Sequence, residues 1–133
     1  MRFLLDTCIV SEPGKKLPNP KVLNWLLQHQ ANSGIPTLAV SELAQGVYWL
    51  PPHEQPGPEA KLNTLLADQA DNIVPFDTEA ALAWGKYVAD IRQTPKGIID
   101  TQIAAIAISR DLIVVTRNVD DFPAPVKTFN PFD

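Results

Sequence analysis

Phe3-Leu4-Leu5-Asp6-Thr7 is the stretch that decides the fold. Arg2 to Leu5 is a short apolar run closed by a carboxylate, the pattern of a strand buried on both faces that presents Asp6 at its carboxyl end. Outward from it, further strands are expected at Pro36 to Val40, Ile73 to Phe76, Leu112 to Val115 and Val126 to Phe129. The run Leu112-Ile113-Val114-Val115 is wholly apolar with β-branched members and stops at Thr116-Arg117-Asn118. Helical spacing of apolar residues fills the intervals at Pro20 to Gln30, Ser41 to Leu50, Glu59 to Ala70, Asp77 to Arg92 and Asp100 to Arg110. Asp77 and Thr78 offer caps to the fourth of these. Strands alternating with helices predict an α/β fold, a mainly parallel central sheet of four to five strands flanked by helices on both faces.

The chain has 133 residues, enough for one domain, and 45% of them are hydrophobic against 20% charged, which excludes disordered, collagen-like and coiled-coil classes. Eleven Lys and Arg against fifteen Asp and Glu leave a net charge of −4, so the chain lacks the overall basic character of a simple nucleic-acid binder. A phosphate-bearing partner would have to be met locally. The lone Cys8 allows no internal disulfide, and a reducing, cytoplasmic setting is expected. Apolar runs such as Ile103 to Ile108 are too short for a bilayer span of about 20 residues, and Asp6 interrupts the start that a signal peptide would need. No membrane association is expected. Of thirteen prolines, Pro51, Pro52, Pro56 and Pro58 cluster in what reads as a connection between helices, and Pro123, Pro125 and Asn130-Pro131-Phe132 read as an extended tail.

In a parallel sheet, ligands gather at the carboxyl ends of the strands. Asp6 ends the first strand, Glu42 opens the helix after the second, Asp100 opens the helix before the fourth, and Asn118, Asp120 and Asp121 follow the fourth. Gathered carboxylates repel one another and raise each other's pKa unless a cation sits among them. Hard oxygen donors with no His or Cys cluster select Mg²⁺, with Mn²⁺ as a substitute, over zinc. In a hydrolase, a water activated by the metal would be the nucleophile. Each acid also has a structural alternative: Asp6 and Asp100 as helix caps, and Glu42 as a first-turn carboxylate favoured by the helix dipole. Asp120 reads as solvated; Glu12 could reach the cluster through a short helical turn, with a structural role as the favoured alternative. Cys8 and the tryptophans Trp25 and Trp84 suit packing, whereas Trp49 beside Tyr48 suits a partner surface. Arg92, Lys96 and Arg117 are candidates for phosphate contact; His29 and His53 have no partner that would make them catalytic.

The stretch from Phe3 to Glu12, Phe3-Leu4-Leu5-Asp6-Thr7-Cys8-Ile9-Val10-Ser11-Glu12, resembles the opening of PIN domains of the VapC and FitB-like ribonuclease toxins. The resemblance continues through Val40-Ser41-Glu42-Leu43-Ala44-Gln45-Gly46-Val47, Ile99-Asp100-Thr101-Gln102-Ile103-Ala104-Ala105-Ile106-Ala107 and Val115-Thr116-Arg117-Asn118-Val119-Asp120-Asp121-Phe122, and ends in Phe129-Asn130-Pro131-Phe132. It covers essentially the whole chain and implies a single PIN domain over residues 1–133. The family's metal-binding and catalytic acids correspond to Asp6, Glu42 and Asp100. The acid that some members carry at a fourth position falls on Asn118 here, with Asp121 as its substitute, and Thr116 resembles the small hydroxyl residue that accompanies the site. The resemblance implies a Mg²⁺-dependent endoribonuclease that cleaves RNA, the toxin of a type II toxin–antitoxin pair. It also implies a homodimer, silenced by a cognate antitoxin through which alone it meets operator DNA. Two rivals remain at this point. A non-catalytic PIN-fold binding module would need no intact acid set. A phospho-acceptor receiver would need an acceptor such as Asp77 at a central strand's end and a Lys after a late strand, where Thr116-Arg117-Asn118 stands instead.

Overall fold

The computed structural model describes residues 1–92 and 97–133. Phe3–Leu5 forms β1, and Asp6 caps a single helical turn, α1 (Thr7–Val10). There follow α2 (Pro20–His29), β2 (Ser33–Pro36), α3 (Thr37–Tyr48), α4 (Pro56–Asp68), β3 (Ile73–Val74) and α5 (Thr78–Ile91). The chain closes with α6 (Ile98–Arg110), β4 (Ile113–Val115) and β5 (Lys127–Phe129). All strand pairs are parallel, in the order β3-β2-β1-β4-β5. The expected α/β architecture is therefore present with five strands and helices on both faces.

The pleat divides the core into two layers, because alternate side chains of a strand face opposite sides. Leu4 and Val114 join Val74, Tyr87, Ile103 and Ile106 under α5 and α6. Phe3, Leu5 and Val115 join Ile9, Val22, Ile35 and Ala39 on the other face, with Trp25 of α2 and Leu65 of α4 packed against them. The central strand β1 is buried at all three positions, as its uninterrupted apolar run requires.

The second strand is displaced from its expected position. Thr37 to Val40, expected as strand, form the first turn of α3, and the strand lies just before them at Ser33–Pro36. Gly34 explains why this strand hides from a pattern search. It contributes no side chain, and a Cβ there would stand 2.5 Å from Met1 Sδ and 2.6 Å from Val74 Cγ2, so the space beside the strand is already taken by these two side chains. The proline-rich connection is also shorter than expected. Pro56, Gly57 and Pro58 belong to the first turn of α4, where a missing N–H leaves no intrahelical bond unmade. The carboxyl end is not an extended tail: Asn130 Oδ1 accepts from the Phe132 amide at 2.9 Å, and the Phe132 ring packs back against the second core layer. Among the described residues, no helix is long and apolar enough to cross a membrane.

Candidate metal centre

The chain runs from β1 outward to β2 and β3, then returns to the other side of β1 for β4 and β5. The switch in direction falls between β1 and β4, and the crevice beyond their carboxyl ends is where a doubly wound sheet binds its ligand. Asp6 and Thr116 follow directly from these two strands. Asp6 is buried and both its oxygens are engaged: the Thr7 amide donates to Oδ1 at 2.8 Å, and the buried Thr116 hydroxyl donates to Oδ2 at 2.8 Å. The Cys8 thiol also donates to Oδ2, at 3.6 Å, and burial pushes that thiol's pKa up, which keeps it a neutral donor.

Glu42 lies in the second turn of α3, not at its start, because the helix begins at Thr37. Its half-buried carboxylate accepts from the Thr7 hydroxyl at 2.6 Å. Asp100 is the third residue of α6, whose N-cap Gly97 offers no side chain. A Cβ on Gly97 would stand 2.9 Å from Asp100 Oδ2, so the carboxylate folds back over the helix start. Burial pushes the Asp100 carboxyl up to about 6, reinforced by the charges of Asp6, Asp121 and Glu42. Three acids from three other segments thus lie within electrostatic reach of Asp100.

Asp121 belongs to this group from an exposed 3₁₀ turn, Val119–Asp121. Asn118 is linked to the site through its backbone, whose amide donates to Thr116 Oγ1 at 3.0 Å. Asp120 is exposed, as expected. Glu12 plays a structural part: it is buried, accepts from the Asn19 amide at 2.9 Å and pairs with Lys15 at 2.9 Å, and these partners hold its carboxyl below the usual range. Thr7 is the residue that sequence reasoning passes over: its amide donates to Asp6 and its hydroxyl to Glu42. The signal available was its place immediately after Asp6, where a first-turn hydroxyl looks sideways to the neighbouring helix. Arg117 is exposed with its guanidinium 4.5 Å from the Phe132 ring centroid, and Arg92 is exposed at the end of α5. Lys96 lies outside the described residues. Trp49 is 81% exposed, as a partner surface would need.

The donor set suits a hard divalent cation. Among the described residues, the salt bridges are Lys15 with Glu12, Arg110 with Asp77 and Lys127 with Asp111, so no basic side chain pairs with the four acids. Their repulsion is left for a cation to relieve. Among the described residues no three acids stand close enough to form a ready-made ligand cage. Magnesium tolerates wider spacing, because it usually keeps several waters and takes only one or two carboxylates directly. Asp77, the acceptor a receiver would need, ends nothing central: it caps α5 beyond the edge strand β3, accepting from the Ala80 amide at 2.9 Å and from Arg110 at 3.1 Å.

Residues 3–125 match the family model described as the PIN domain. Toxin FitB of Neisseria gonorrhoeae is 33% identical, with 98% of each chain covered. The VapC ribonuclease Y4jK of Sinorhizobium fredii is 27% identical over the same share of both chains. Among solved structures, FitAcB from Neisseria gonorrhoeae superposes with a TM-score of 0.86 at 31% identity, 98% of each chain being covered. VapBC2 from Rickettsia felis, bound to a DNA fragment from their promoter, gives 0.80 at 25% identity with equal coverage. The fold, the order of motifs and these likenesses agree, and the chain belongs to the PIN domain family.

Proposed function

We propose that this chain is the toxin of a type II toxin–antitoxin pair, a Mg²⁺-dependent endoribonuclease that hydrolyses RNA phosphodiester bonds. The observation that carries the reading is the meeting of Asp6, Glu42, Asp100 and Asp121 at the switch point with no basic partner among the described residues. Likeness to proteins named as a toxin and as a VapC ribonuclease supports it. Asp6, Glu42, Asp100 and Asp121 would hold the ion, with the Asn118 amide oxygen as a further donor. When bound, Mg²⁺ or Mn²⁺ lowers the pKa of a coordinated water and offsets charge developing on the phosphate. Thr116 and the Thr7 amide keep Asp6 in one orientation, so little of its freedom is lost on binding. Arg92 and Arg117, both exposed, would meet RNA phosphates, and the acidic balance of the rest of the chain leaves that attraction local.

A cognate antitoxin is the expected partner, and operator DNA would be reached through it. An apolar pocket lined by Leu5, Val10, Leu26, Ile35 and Leu65 offers a seat for the apolar side chains of such a protein. A homodimer, in the cytoplasm, completes the reading. The test is direct: purified protein incubated with structured RNA should cleave it with Mg²⁺ and stop on addition of chelator. No cleavage with any divalent ion would favour the non-catalytic binding module.

A further inference from the structure

We propose that Thr7 is a positioning residue for the ion site: its hydroxyl fixes the orientation of Glu42 relative to Asp6. This rests on the metal-binding reading above. Thr7 touches both acids at once, its amide donating to Asp6 Oδ1 at 2.8 Å and its hydroxyl to Glu42 Oε1 at 2.6 Å. The second distance falls in the short range of charge-assisted O–H···O⁻ bonds. The contact spans 35 residues of sequence, so it joins the strand that delivers Asp6 to the helix that delivers Glu42.

The two partners differ in freedom, and that difference gives Thr7 its role. Glu42 is a half-buried side chain with three rotatable bonds, and its charge reaches Asp100. Thr7 is β-branched, stiff about χ1, and sits in a turn that is itself fixed by the Asp6 cap. The rigid group therefore sets the mobile one. The bond engages only one of the two Glu42 oxygens, and removing it would free the carboxylate to swing out of the cluster. An outer-shell hydrogen bond of this kind typically supports metal affinity by about 10–100-fold.

The experiment is calorimetric titration of the full chain with Mn²⁺, without RNA, for wild type, Thr7→Val and Thr7→Ser. Thr7→Val keeps the shape and loses the donor, and should weaken Mn²⁺ binding by about 10–100-fold. Thr7→Ser keeps the donor and should bind within a few-fold of wild type. Circular dichroism checks that each protein is folded, and Thr7→Ala removes the same hydroxyl should Thr7→Val fold poorly. Wild-type affinity in the folded variants lacking the hydroxyl, or Thr7→Ser binding as weakly as they do, would overturn the role of Thr7 while leaving the ion site standing. A wild-type chain that binds no Mn²⁺ would overturn both, and the two failures are told apart by the wild-type titration alone.

Discussion

Asp100 ionises against burial and three neighbouring carboxylates, which raises its carboxyl from an ordinary 3.8 to about 6. Between roughly pH 4 and 6 the folded, metal-free chain therefore holds a proton that the unfolded chain has released. Stability from this group is present at the acid end and is lost as pH rises through the folded value. Thermal melts in chelator should show wild type losing stability relative to Asp100→Asn as pH climbs through that window; parallel curves would show that neither burial nor the neighbouring carboxylates raise the Asp100 carboxyl. Asp6→Asn and Asp100→Asn should each abolish chelator-sensitive RNA cleavage and growth arrest on expression while the fold persists. Retained growth arrest in either variant would mean the site is wrongly assigned. Asp6 was legible in sequence because it closes an apolar strand run, whereas Glu42 and Asp100 stand inside their helices and were picked out by the resemblance of their motifs to the PIN family. The hydrogen bonds that orient them were not. A threonine hydroxyl shows its partner only when α1 and α3 are seen side by side, as Thr7 and Glu42 are.

Elements that carry a full apolar pattern are legible close to their true limits, and those that do not are missed or shifted. β1, β4 and α5 are of the first kind. β2 is of the second: Ser33 and Pro36 are not strand formers, Gly34 packs through its backbone, and the β-branched Thr37 and Val40 just beyond mimic a strand while starting a helix. Two substitutions check the packing. Gly34→Ala forces a Cβ against Met1 and Val74 and should destabilise by about 1–3 kcal/mol in denaturant unfolding, the usual cost of overpacking; a neutral effect would mean that the Met1 and Val74 side chains move aside freely. At α5, Asp77→Ala removes the cap on the Ala80 amide and should cost about 1 kcal/mol, since its ion pair with Arg110 is exposed and adds little.

For the whole molecule, function follows from topology. A parallel sheet that begins at its centre and grows first to one side, then to the other, brings the ends of β1 and β4 together, with α3 and α6 supplying the remaining acids. The two core layers fix this arrangement from both faces, and the fully buried Leu4 on the central strand is its keystone. Leu4→Ala should cost about 2–5 kcal/mol and reduce cleavage only through loss of folded protein, with activity per folded molecule unchanged. The most direct measurement is anomalous diffraction from crystals soaked in Mn²⁺. We expect one dominant peak enclosed by Asp6, Glu42 and Asp100, with Asp121 or Asn118 closing the fourth side. A map with no peak among these residues, at Mn²⁺ concentrations that support cleavage, would contradict a shared ion as the basis of the site.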